Sequence, residues 1–279
     1  MKADLHMHSI YSDGKLNILE LIERIIDAKL DVVALTDHDT IYGVEEYKEK
    51  LNSIGRTVVV GLELSTKFYG ESIHVLGYFK SLESIAPSFK EYLVHMKDVR
   101  YNRMRGMIEN VNRIYGFNID FDKIVEKHPY MLERPHLADA IEEVTGEERQ
   151  VIFKKYIGND SPAYLPVANI TPAEGVKMIK DAGGFAILAH PYCYKDPIAV
   201  LESAPFDGLE LFYGPSNDDK KQFAIFEEYA KTHNMLVSGG SDFHQDVDKK
   251  HSNIGAAPFT SPYVEEFLKG IGVEVIEWK

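Results

Sequence analysis

The chain has 279 residues, 44% of them hydrophobic, and 44 acidic residues against 31 basic ones give a net charge of −13. With a mean hydropathy of −0.23 it reads as globular, which excludes a disordered chain, and so acidic a surface disfavours broad attraction to nucleic-acid backbones or anionic membranes. A phosphate-bearing ligand would have to be attracted locally. Cys193 stands alone, so an intramolecular disulfide is excluded and the count suits a reducing compartment. Neither a signal-peptide core nor an apolar run near the ~18 residues of a membrane span is visible, and the expected location is the cytoplasm.

In chain order, residues 2–8 predict a strand, 17–29 a helix and 31–36 a second strand. Asn17 followed by Glu20 is an N-cap with an acid at the third helical position, and Leu19, Ile22, Ile25 and Ile26 share one face. A helix over 41–54 precedes strands at 57–64 and 72–79. Residues 82–161 are helical in pattern, rich in charge and nearly free of β-branched runs, which predicts an inserted helical subdomain between a first part, 1–81, and a second part, 162–279. Thr171-Pro172-Ala173-Glu174 starts another helix by cap, proline and acid. Strands at 185–189, 208–212 and 235–238 follow, with a helix over 218–232 between the last two. The alternation is that of an α/β fold with parallel strands, as an open sheet or a closed barrel.

Polar residues gather where such strands end, the edge at which parallel α/β folds place their sites. His6 and His8 end the first strand, His38 follows the second and Glu63 ends the third; His74 lies in the fourth, His190 ends the strand after the insert, and Asp242 and His244 follow the last. Alternate strand residues point to one face, so His6 and His8 can reach one ion. A single histidine beside an apolar run is more often a hydrogen-bonded core residue than a ligand. Six histidines and three acids, Asp13 included, would each need a separate buried partner on that account, whereas a shared metal centre explains them together. Imidazole and carboxylate donors suit Zn, Mn or Fe, and carboxylates able to bridge favour more than one ion.

The runs Asp4-Leu5-His6-Met7-His8-Ser9 with Ser12-Asp13-Gly14, Leu35-Thr36-Asp37-His38-Asp39-Thr40, Gly61-Leu62-Glu63-Leu64, Ile73-His74-Val75-Leu76-Gly77, Leu188-Ala189-His190-Pro191 and Gly240-Ser241-Asp242-Phe243-His244 resemble, in order, the motifs of the polymerase and histidinol phosphatase (PHP) superfamily of metal-dependent phosphoesterases. Glu133-Arg134-Pro135-His136 is similar to the branch that acts on nucleoside 5′-phosphates and 3′,5′-bisphosphates. The resemblance implies a distorted (β/α)7 barrel with two to three divalent metal ions. One would be held by His6, His8, Glu63 and Asp242, a second by Glu63, His74 and His190, and a third by Asp13, His38 and His244. It also implies phosphate monoester hydrolysis on a small phosphorylated substrate, by attack of a hydroxide bridging two ions. Short oligonucleotides are a further possible substrate, and nothing calls for an obligate protein partner. Histidinol-phosphate phosphatase, a 5′-exonuclease of oligonucleotides and a non-catalytic metal-stabilised platform are the alternatives.

Arg134 could grip a phosphate through two hydrogen bonds, and His136 could bind phosphate or protonate the leaving group. Their spacing around Pro135 equally fits residues decorating the start of an exposed insert helix. Asp37 and Asp39 are expected to orient His38, and Tyr192 and Tyr194 to line a pocket or simply to pack. His95, His128, His233 and His251 fall outside every motif and are expected at exposed or helix-terminal positions; Cys193 is too soft for this donor set. Lys97, Arg100, Arg103 and Arg105, at helical spacing, predict a solvated helix face.

Overall fold

Short apolar runs form the strands β1 (Ala3–Asp4), β2 (Val32–Leu35), β3 (Thr57–Phe68), β4 (Glu71–Phe79), β5 (Phe185–Leu188), β6 (Gly208–Tyr213) and β7 (Leu236–Gly240) of a computed structural model that describes residues 1–167, 170–216, 219–246 and 252–276. They make one seven-stranded sheet in sequence order. Backbone bonds from Leu5 N–H to the Gly239 carbonyl (3.0 Å), from Asp242 N–H to that of His6 (2.8 Å) and from His8 N–H to that of Phe243 (2.8 Å) join β7 and the segment after it to the β1 edge, curling the sheet into a barrel. Gly240 permits that seam, because a Cβ there would lie 2.5 Å from the His6 nitrogen.

The strands are not all parallel. β4 runs antiparallel to both β3 and β5, and the reason is covalent: Tyr69 and Gly70 alone separate β3 from β4, whereas a parallel crossover needs a dozen residues or more. Reversal brings the first half of β4 to the edge where the other strands end.

The outer helices are α1 (Ile18–Asp27), α2 (Val44–Asn52), α7 (Pro172–Asp181), α8 (Pro197–Glu202), α9 (Lys220–Thr232) and α10 (Tyr263–Ile271). The capping boxes expected at Asn17/Glu20 and Thr171/Glu174 both form, each worth ~1 kcal/mol. The buried stripe of α1 differs from expectation: Ile18, Leu21 and Ile25 are buried, while Leu19 and Ile26 are exposed. The stripe at i, i+3 and i+7 faces the barrel, and Leu19 and Ile26 flank it on the solvent side.

Between β4 and β5 lie α3 (Pro87–Tyr115), α4 (Phe121–Lys127), α5 (Arg134–Thr145) and α6 (Arg149–Ile152), the last extended by a π-helical turn over Phe153–Ile157. Their core, with Met104, Met107, Ile108, Val111, Leu137, Ile141 and Ile152, is distinct from that of the barrel. The start of α3 belongs to the barrel, since Phe89 and Leu93 are buried in the barrel core. α3 thus fixes the other helices over the ligand-bearing edge. No helix is long and apolar enough to cross a membrane among the described residues.

Candidate metal centre

Glu63, 1% exposed near the middle of β3, is the hub. Its Oε1 lies 2.9 Å from His74 Nδ1, 3.0 Å from His190 Nε2 and 3.5 Å from His6 Nε2. Its Oε2 lies 3.0 Å from His38 Nδ1 and 3.2 Å from His8 Nε2. Asp242 Oδ1 is 3.4 Å from His6 Nε2 and 3.3 Å from His8 Nε2. Asp13 Oδ1 is 3.3 Å from His244 Nε2, 3.9 Å from His38 Nε2 and 3.8 Å from His8 Nδ1. All nine expected ligands are therefore brought together. Their grouping is less separable than three discrete sets: His8 clusters with Asp13, His38 and His244 as well as with His6 and Glu63, and His38 clusters with Glu63 and His74. The His8 and His38 rings each face two groups through opposite nitrogens.

This donor set fits divalent ions. His6 Nε2, His8 Nε2, His38 Nδ1 and Glu63 Oε2 are buried without a hydrogen bond, although each stands close to another donor atom. Atoms that approach within hydrogen-bonding range yet miss one another's lone-pair directions are aimed at a common point. Ligands at ~2.1 Å from an ion in tetrahedral or octahedral geometry stand about 3.0–3.4 Å apart, close to most of the separations around Glu63 and Asp242.

Electrostatics give the same result. Burial alone would push Glu63 and Asp13 up, but the surrounding imidazoles hold both carboxyls well below the usual range. Burial disfavours charge on His6, yet Glu210, Glu63 and Asp242 raise it well above its ordinary value; His8 and His190 are likewise driven up to about 10 against burial, by Asp242 with Glu63 and by Cys193 with Glu63 respectively. His38 is pushed well below its usual value, first by burial. Buried carboxylates here demand positive charge, which protons or metal cations supply.

Local backbone serves the same end. His190 and Asp242 adopt φ of +27° and +54°, and Asp39, after His38, +50°; such conformations cost of order 1–3 kcal/mol each and persist where surrounding contacts over-determine them. Gly14 is required after Asp13, because a Cβ there would meet the His8 carbonyl oxygen at 2.5 Å.

Several supports escaped the sequence reading. Glu210 on β6, fully buried, lies 3.0 Å from His6 Nδ1 and accepts the His190 backbone N–H at 2.8 Å; it fixes a proton on Nδ1 and turns Nε2 to the centre. Its signal was an acid inside the predicted strand 208–212, between Leu209 and Leu211. Tyr213 donates to Asp242 Oδ2 at 3.0 Å. Asp37 and Asp39 do not orient His38: Asp37 accepts from Ser9 and Ser12, and Asp39 accepts from Ser65 N–H and pairs with Arg100. Two short carboxylates brace neighbouring loops because the His38 nitrogens already face Glu63 and Asp13. Tyr192 donates to the Leu211 carbonyl (2.6 Å), and the Tyr194 hydroxyl accepts the His74 N–H (3.0 Å), so both pack structurally.

The basic stretch also departs from expectation. Lys97 and Arg105 lie nearer solvent, but Arg100 is 1% and Arg103 8% exposed. Arg100 pairs with Asp39 and with Glu133, linking α3 to the His38 loop and to the N-cap of α5. Arg134 begins α5; its Nη1 donates to Asn159 at 2.9 Å, and its guanidinium stands over Phe153 and Tyr164. His136 is buried, its Nδ1 accepting the Glu133 N–H at 3.1 Å and its ring stacked on His128 at 3.9 Å. Burial, then His128, lowers it to about 3, and the Asp13 charge reaches it. His95 is exposed, His128 and His233 cap helix C-termini, and His251 lies outside the described residues.

The PHP domain family matches residues 4–158. A "5′-3′ exoribonuclease" of Haemophilus influenzae is 29% identical over 87% of this chain and 90% of its own length. A "3′,5′-nucleoside bisphosphate phosphatase" of Chromobacterium violaceum is 29% identical over 86% of each. Among solved structures, a protein from Bifidobacterium adolescentis described as a metal-dependent phosphoesterase superposes with a TM-score of 0.83 at 25% identity, covering 98% of this chain and 97% of that one.

Proposed function

The chain belongs to the PHP family and is a metal-dependent phosphoesterase, and we propose that it removes a terminal phosphate from a nucleotide, a nucleoside 3′,5′-bisphosphate or 5′-monophosphate. The convergence of unpartnered nitrogen and oxygen atoms on Glu63 carries the catalytic part of this reading. In it, one ion is held by His6, His8, Glu63 and Asp242, a second by Glu63, His74 and His190, and a third by Asp13, His38 and His244, with Mn, Fe and Zn all compatible. Bound ions would acidify water and neutralise phosphoryl charge. Glu63 would be shared between the first two ions, while Glu210 orients His6 and Tyr213 orients Asp242.

The nucleotide part rests on the two curated relatives and on the segment 133–136 that α5 holds near Asp13. Arg134 offers a planar pair of donors. A ring whose Nδ1 already accepts a backbone proton, and whose pKa is lowered to about 3, is neutral at pH 7. His136 therefore suits donation from Nε2–H to a phosphate oxygen better than protonation of the leaving group. Residues 82–161 serve in this reading as the substrate-facing insert, and the acidic chain with its single cysteine fits the cytoplasm.

The test is phosphate release by metal-loaded protein from a nucleoside 3′,5′-bisphosphate, a nucleoside monophosphate and histidinol phosphate, with metal content measured alongside. Release confined to histidinol phosphate would overturn the nucleotide reading, and none from any substrate at full metal occupancy would favour a platform. A 5′-phosphorylated oligonucleotide belongs in the panel because of the exoribonuclease relative.

A further inference from the structure

The helix α5 carries Arg134 and His136, yet its apolar side is turned to the insert. Its buried residues Leu137, Ala138 and Ile141 belong to the insert's core, and none of the described residues of α5 belongs to the barrel's. Apolar packing is non-directional and here fixes α5 to the other insert helices. Where α5 rests on the barrel is left to polar ties, which are directional.

One tie is Arg100, which joins Asp39 to Glu133 at the N-cap of α5. The other runs from the barrel itself: Lys15 Nζ, two residues beyond Asp13, meets Asp139 Oδ2 on α5. The second oxygen of that carboxylate, Oδ1, accepts from Arg149 Nη1 on α6 at 2.5 Å. Burial would raise the Asp139 carboxyl, but Lys15 and then Arg149 hold it below the usual range. The backbone of Lys15 is held as well, its N–H donating to the His244 carbonyl at 2.7 Å. Lys15 therefore stands between Asp13 and His244, two of the residues read as ligands of the third ion. On α5, Asp139 lies three residues after His136 and shares its face. After burial and His128, the charges that act on the His136 ring are those of Asp13, Lys15 and Asp139. The Lys15 and Asp139 side chains are 32% and 18% exposed, and an ion pair so placed adds little to stability. Its consequence is geometric.

We propose that Lys15 and Asp139 are positioning residues, a clasp that sets α5 at the height from which Arg134 and His136 reach a phosphate at the Asp13–His244 corner. The inference rests on the role proposed above for Arg134 and His136 and adds what holds them there. Arg149 fixes the Asp139 carboxylate from the insert side, and Lys15 ties it to the barrel. Neither Lys15 nor Asp139 touches the substrate.

The experiment measures kcat and KM of metal-loaded protein on p-nitrophenyl phosphate and AMP, with metal content, in four variants. In Lys15→Met and in Asp139→Asn, kcat/KM is expected to fall about tenfold, most of it in KM, with metal content unchanged, because displaced phosphate-binding groups weaken binding in ground and transition state alike. Lys15→Arg, a cation of similar reach, is expected to stay within about twofold of the wild type, and so is Arg149→Met, which leaves the tie to the barrel intact. Wild-type KM in Lys15→Met overturns the clasp. So does a loss in Arg149→Met equal to that in Asp139→Asn, which would confine Asp139 to the fold of the insert. A loss in Lys15→Met that Asp139→Asn does not reproduce would make Lys15 a substrate contact, and loss of metal in Lys15→Met would make it a support of the Asp13 corner; either outcome overturns the proposal. The expected pattern on p-nitrophenyl phosphate with no release from AMP keeps the clasp and overturns the nucleotide reading.

Discussion

The barrel edge and the insert solve opposite charge problems. At the edge, Glu63, Asp13, Glu210 and Asp242 outweigh what neutral imidazoles can compensate, and the deficit is one of positive charge. Across α3 and α5, Arg103 and Arg134 have no carboxylate partner among the described residues, and positive charge prevails. The first region calls for cations, and in the proposed reading the second faces the phosphate that those cations would bind. Arg100 joins the two regions, pairing with Asp39 after His38 and with Glu133 at the start of α5.

The largest effect is expected from removing the hub. Glu63→Gln loses a bridging charge, and because outer-sphere changes alone cost 10–100-fold, metal content and turnover are expected to fall together by more than about 100-fold. Elemental analysis with phosphate-release rates reads both, and near-normal activity would sink the bridging role. Next comes Glu210→Gln, which keeps its shape but drops the charge facing His6 Nδ1; metal affinity is expected to fall roughly 10–100-fold, and an unchanged metal titration would reduce Glu210 to packing. Arg134→Ala tests the other half. Metals stay bound while kcat/KM for nucleotides falls about tenfold, whereas metal loss in this variant would give Arg134 a structural role.

The smallest effect is one of pH. His136 is lowered from 6.5 to about 3, so the unfolded chain binds the extra proton and the folded one does not. Stability from this residue is full above pH 6.5 and declines as pH falls towards 3, by roughly 2 kcal/mol at pH 5. Thermal melts at pH 7 and pH 5 are expected to differ less for His136→Asn than for the wild type. Equal shifts would mean that the buried ring takes up a proton without penalty.

These halves were unequally legible in the sequence. His6 and His8 announced themselves because alternate residues of an extended segment share a face, and Glu63, His190 and Asp242 because each ends or follows a predicted strand. The direction of β4 was hidden, since an apolar strand reads alike forwards and backwards; the two residues between β3 and β4 were the cue. Arg100 and Arg103 were misread because arginines at helical spacing look the same whether they face water or are buried, Arg100 against Asp39 and Glu133 and Arg103 against the Leu165 carbonyl. Glu210 was overlooked because a second carboxylate behind a ligand has no spacing signature. In the helix α1, periodicity gave the right element and the wrong stripe, a matter of one residue's rotation.

The β3–β4 hairpin has a further consequence. Ser65 pairs with His74 and Glu63 with Leu76, so two proposed ligands are locked in register by a ladder that continues to Phe68 and Glu71. Beyond it the chain turns at Tyr69 and Gly70, and Tyr69 is 96% exposed. Ladder bonds set the ligands' spacing independently of what the turn contains. The tip is accordingly a place where residues can be inserted or exchanged over generations without disturbing the spacing of Glu63 and His74.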